Sequence, residues 1–71
     1  MSIQEIARYY LAQGKTLKAA GLMINLVKTE PTADNLTLLA EIYMAQGLFE
    51  DAAALYLEVV KAGLETKPLM Q

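Results

Sequence analysis

The sequence has no cysteine and no histidine, only two prolines and a single arginine. Without cysteine, no disulfide can staple a small fold. Without histidine as well, the usual zinc ligand sets are out of reach, so no metal site is expected. Basic residues are few and dispersed: Arg8, Lys15, Lys18, Lys28, Lys61 and Lys67 stand against eight acidic residues, for a net charge of −2. Nothing here neutralises a run of phosphates, which excludes nucleic acid as the expected partner, and the same scatter excludes a polybasic membrane anchor. Long apolar runs are also missing. The longest, Ala52-Ala53-Ala54-Leu55-Tyr56-Leu57, falls far short of the ~20 residues that span a bilayer. The start, Met1-Ser2-Ile3-Gln4-Glu5, lacks the basic and apolar stretches of a secretory signal. A cytoplasmic location is therefore the default expectation.

Catalytic equipment is equally sparse. The glycines, at 14, 21, 47 and 63, are dispersed rather than gathered into a phosphate-binding loop. The adjacent acids Glu50 and Asp51 read as first-turn helix charges. Glu41 and Tyr43, two positions apart, do not share a helix face. The sequence thus predicts a protein that is not an enzyme and carries no cofactor.

What the chain does have is apolar content, at 55% hydrophobic against 20% charged residues. That is too apolar for a disordered segment. It is also generous for 71 residues, since a chain this short buries only about 60% of its unfolded surface. Some apolar surface is expected to be covered by a partner.

Punctuation divides the sequence into four helices. Ser2-Ile3-Gln4-Glu5 forms a capping box, followed by Ile3, Ile6, Ala7, Tyr10 and Leu11 at helical spacing and by Gly14 as terminator. Thr16 is the expected N-cap of a second helix carrying Leu17, Ala19, Ala20, Met23, Ile24, Leu26 and Val27, which stops at Thr29-Glu30-Pro31. Thr32 caps a third, with Asp34 in its first turn and Leu36, Leu39, Ala40, Ile42 and Tyr43 as its stripe, ended by Gly47. A fourth, after Leu48 and Phe49, carries Ala52, Ala53, Leu55, Tyr56, Val59 and Val60, and Gly63 is expected to close it. Residues 64–71, with Pro68, read as an irregular tail. No stretch alternates with period two, so the expected fold class is all-α in one domain spanning 1–71.

The four helices are two copies of one hairpin, repeat one over about 2–31 and repeat two over about 32–63. Aligning Gly14 with Gly47 sets an offset of 33, at which Tyr10 meets Tyr43, Ala7 meets Ala40, Ala19-Ala20 meets Ala52-Ala53, Leu22 meets Leu55 and Val27-Lys28 meets Val60-Lys61. A helix-turn-helix unit recurring every 33–34 residues or so marks a helical solenoid. Leu36-x-x-Leu39-Ala40-x-x-Tyr43-x-x-x-Gly47-x-Phe49-x-x-Ala52-x-x-x-Tyr56 resembles a tetratricopeptide repeat, and Ile3, Ile6, Ala7, Tyr10, Gly14, Ala19, Met23 and Pro31 give a looser first copy. The pattern is departed from at Thr16, where an aromatic is usual, at Leu26 and Val59, where alanine is usual, and at Leu64, where a second terminal proline is usual.

The resemblance implies two stacked antiparallel helix hairpins, a fragment of a right-handed α-solenoid. Ala7 is expected to oppose Ala19 and Ala40 to oppose Ala52, while Tyr10, Met23, Tyr43 and Tyr56 fill the wedge between hairpins. It also implies a protein-interaction scaffold whose first helices line a concave groove that binds a peptide or helix of a partner protein. Carried over position by position, the groove residues are Gln4, Glu5, Arg8, Leu11 and Ala12 with Thr37, Leu38, Glu41, Met44 and Ala45. Leu11, Leu38 and Met44 have two readings, as an apolar groove for a partner segment or as packing between the hairpins. Arg8 and Glu41 likewise read either as binding residues or as solvated surface charge. Two repeats without a capping helix leave apolar side chains on the last helix, with Leu55, Tyr56, Val59 and Val60 as candidates. The alternative function is therefore a structural subunit that self-associates through this face, most simply as a two-fold dimer.

Overall fold

A computed structural model of the chain describes the backbone of residues 1–66 and the side chains of residues 1–63. Four helices follow one another: α1 (Ile3–Ala12), α2 (Thr16–Thr29), α3 (Ala33–Ala45) and α4 (Phe49–Thr66). No strand occurs among the described residues. Each helix packs on the next along the chain, and α1 also meets α3. The result is the expected all-α arrangement of two helix hairpins, α1–α2 and α3–α4.

Local chemistry sets most of the boundaries. Ser2 Oγ accepts from the Glu5 backbone N–H at 3.1 Å, and the Glu5 carboxylate accepts from the Ser2 N–H at 2.7 Å, so the capping box forms in full. Thr32 Oγ1 accepts from the Asn35 N–H at 3.2 Å and caps α3, with Asp34 in its first turn. Gly14 and Gly47 take φ of +78° and +79°, a region costly for any residue with a Cβ. Around them the hydrogen bonds are the same. Gly14 N–H donates to the Leu11 carbonyl and Lys15 N–H to that of Tyr10; Gly47 N–H donates to Met44 and Leu48 N–H to Tyr43, all within 2.8–3.0 Å. This is the Schellman arrangement, which satisfies helix-end carbonyls that would otherwise be orphaned. It occurs twice at the offset read from the sequence, so the repeat is structural as well as textual.

The start of α2 and the end of α4 differ from the sequence expectation, as does the exposure of one side chain. The N-cap of α2 is Lys15, and Thr16 is the first helical residue. The Schellman turn delivers the chain into helical geometry one residue earlier than the hydroxyl suggested, and Lys15 makes no side-chain cap bond. Gly63 does not close α4, which runs on to Thr66. Glycine permits a left-handed stop but does not impose one, and Gly63 has no positive φ. Of the expected irregular tail, residues 64–66 are therefore helical, and residues 67–71 lie outside the described residues. Leu17, placed in the apolar stripe of α2, is instead 80% exposed.

The core lies between the hairpins. Ala7, Ala19, Ala20, Met23, Leu38, Leu39 and Ile42 form its buried cluster, with Tyr10, Tyr43 and Leu55 packed against it at partial exposure. Ala7, Ala19, Ala40 and Ala52 are all fully buried. Four methyl-sized side chains at those positions let the helix axes within each hairpin draw together, and larger groups fill the space between hairpins. The ring of Tyr10 also carries Lys15 and Lys18 on its outer side, their Nζ atoms 6.0 and 5.6 Å from its centroid.

One buried polar group ties the hairpins. Asn35 is 3% exposed. Its Nδ2 donates to the Glu30 carbonyl at 2.8 Å, and its Oδ1 accepts from Gln4 Nε2. Asn35 thus joins the end of α2, the start of α3 and the first turn of α1.

Candidate functional site

The expected groove residues come from α1 and α3, and the structure sets these helices side by side. Arg8 Nη1 lies 3.6 Å from Glu41 Oε1. The two residues are 33 positions apart, so they are repeat equivalents facing one another across the helix pair. Both side chains are largely in water, at 61% and 44% exposure. Such a pair contributes about 0–1 kcal/mol, so it is a feature of the surface more than of the fold. One turn earlier stand Gln4 and Thr37, both half-buried, with Gln4 held by Asn35. One turn later stand Leu11 and Met44, the first half-buried against the core and the second 45% exposed. The surface therefore runs as three rungs of equivalent residues: an amide and a hydroxyl, an ion pair, and an apolar pair.

Leu38 is not part of it. The structure buries Leu38 to 1% exposure in the core between hairpins, which corrects its assignment to the groove. Leu36, Leu38, Leu39, Ala40 and Ile42 are all buried, because α3 is packed by α1, α2 and α4 together. Leu11 is partly withdrawn in the same way. The face is thus more polar than a groove built on Leu11, Leu38 and Met44. A cleft of about 380 Å³ opens at its amino-terminal edge beside Gln4 and Asn35. The charged residues lining that cleft are Glu30 and Asp34, which disfavours an anionic ligand there.

Of the four α4 residues expected to form a second surface, the structure exposes Tyr56 and Val60. Leu55 is half-buried against the core and Val59 is half-buried as well, so both face inward. Among the exposed apolar residues, Phe49, Ala53, Tyr56, Leu57 and Val60 recur at helical spacing. The offset of 33 explains the division. Leu55 and Val59 correspond to Leu22 and Leu26, which are half-buried like them. Ala53, Tyr56, Leu57 and Val60 correspond to Ala20, Met23, Ile24 and Val27, which are buried or half-buried where hairpin two covers hairpin one. The α4 stripe is that same internal interface, repeated once more and left in water. Mapping burial through the repeat supplies the signal that reveals Ala53 and Leu57, which helical periodicity within α4 alone does not separate from the inward face; Phe49 has the polar Thr16 as its equivalent.

Among the described residues no group of three or more potential ligands could hold a metal ion. No helix of the described residues is long and apolar enough to cross a membrane. Comparison with protein families matches residues 10–71 to a model described as a tetratricopeptide repeat. Comparison with curated proteins and with solved structures gives no match.

Proposed function

Because this chain belongs to the tetratricopeptide repeat family, whose repeats generally mediate protein–protein interaction, we propose that it binds a segment of a partner protein on the face shared by α1 and α3. The observation that carries this reading is the in-register pairing of repeat equivalents, with Arg8 and Glu41 in contact and Met44 exposed one turn beyond. The partner segment sets an apolar side chain against Met44 and Leu11 and polar groups against Arg8 and Glu41. An amphipathic helix or an extended peptide with an apolar anchor meets these terms. Gln4 and Thr37 border the site and offer hydrogen bonds.

Capture of polypeptides by the purified chain, read by mass spectrometry, tests this. Met44→Glu places a charge at the apolar rung and is expected to abolish capture of the specific partner while leaving the helical content and the oligomeric state unchanged. Equal capture by the variant and the parent chain would remove this face from consideration.

A second reading, self-association through α4, is supported by a separate observation. Phe49, Tyr56, Leu57 and Val60 lie exposed together on one helix, and a contiguous apolar patch on a small soluble protein marks a site of association. On this reading the cell uses the chain as a homo-oligomeric scaffold, in the cytoplasm.

A further inference from the structure

Resting on the second reading above, we infer that the partner of the α4 stripe is α4 of a second copy, laid antiparallel across a two-fold axis. The alternative for a repeat protein is head-to-tail stacking, in which α1 of the next copy lies on α4 as α3 lies on α2. The residues on α1 argue against it. Asn35, Leu38, Leu39 and Ile42 are the buried residues that α3 brings to the interface between hairpins. Their equivalents on α1 are Ser2, Glu5, Ile6 and Tyr9. Glu5 would have to enter where Leu38 is now buried, yet its carboxylate is already committed to the Ser2 N–H at 2.7 Å. Burying that charge without a counter-ion is costly. The amino-terminal face therefore carries a committed carboxylate at the position where the α4 face requires an apolar group, and the two faces do not fit each other.

The α4 face does fit itself. In an antiparallel pair, Phe49 of one copy lies across from Val60 of the other, and Ala53 lies across from Tyr56, so small meets large along the seam. Charge follows the same register. Glu50 and Lys61, both exposed, are separated by about three helical turns and so lie along one flank of the stripe. A two-fold axis perpendicular to α4 brings the same flanks of the two copies together, which sets Glu50 of each copy against Lys61 of the other. A parallel pair sets this flank against the opposite one and forfeits both ion pairs. Asp51 and Glu58 lie on the far side of the helix and stay in water.

The absence of cysteine makes the seam directly testable in the full chain. Glu50 and Lys61 of one chain are about 16 Å apart along a helix, too far for an internal disulfide. The double variant Glu50→Cys/Lys61→Cys, oxidised with glutathione disulfide, is expected to give a covalent dimer, and each single variant is expected to give far less. Sedimentation of the parent chain through the micromolar range is expected to show a monomer–dimer equilibrium. Val60→Glu is expected to raise its dissociation constant about tenfold or more by placing a charge in the seam. Single variants that cross-link as readily as the double variant, or a Val60→Glu chain as dimeric as its parent, would overturn the antiparallel seam while leaving self-association standing. A folded chain that stays monomeric throughout, its stripe then belonging to another protein or to a further repeat, would overturn both. Growth past the dimer would show head-to-tail stacking and refute the two-fold arrangement.

Discussion

Asn35 holds three parts of the molecule at once. Its amide donates to the Glu30 carbonyl and accepts from Gln4, while its own N–H satisfies the Thr32 cap. Asn35→Ala would leave the Glu30 carbonyl and the Gln4 amide without this partner near the core. We expect a loss of about 1–3 kcal/mol, read as a lower urea midpoint with an unchanged slope. Nothing in a reading by residue type marks Asn35, because asparagine near a helix start is ordinarily a surface residue. The signal lies in its spacing: Asn35, Leu38, Leu39 and Ile42 fall at i, i+3, i+4 and i+7, one helical stripe. The glycines at the two hairpin turns were legible from type alone, since Gly14 and Gly47 sit where the chain needs positive φ.

Helices of this chain are recognisable by their caps and terminators, and their close approach depends on alanine. Ala40 and Ala52 are fully buried within the second hairpin. Ala40→Leu or Ala52→Leu adds volume to a packed contact and is expected to cost about 1–3 kcal/mol, measurable by thermal or urea unfolding. A change near zero would show that the helices do not meet through these methyl groups. The capping motifs made the starts of α1 and α3 legible, because a hydroxyl and a backbone N–H three residues on must meet in a fixed geometry. The start of α2 was not legible, since the preceding Schellman turn sets it rather than Thr16. The face of α3 was not legible either. Apolar residues surround that helix almost completely, and periodicity cannot point a side chain inward when several sides are inward. Leu38 was the position this ambiguity misplaced.

Over the whole molecule, the repeat that was plain in the sequence leaves two unlike outer faces, one carrying the Glu5 carboxylate at α1 and one apolar at α4. If α4 is covered by a second copy, association and folding are linked, and apparent stability depends on concentration. The unfolding midpoint is expected to rise as the chain is concentrated, and the Val60→Glu variant is expected to lose that dependence. A midpoint that does not move with concentration in the parent chain would disconnect the stripe from stability. Which apolar residues end up covered is a property of neighbours, so it became visible only when burial in one repeat was carried onto the other. The wiring of contacts has a further consequence. Helices touch their chain neighbours, with α1 and α3 as the added pair, so no long loop has to close before native contacts form. A nascent chain leaving the ribosome can set its first hairpin while α3 is still being synthesised, shield α2 as soon as α3 emerges, and complete α4 with one sticky flank still waiting for company.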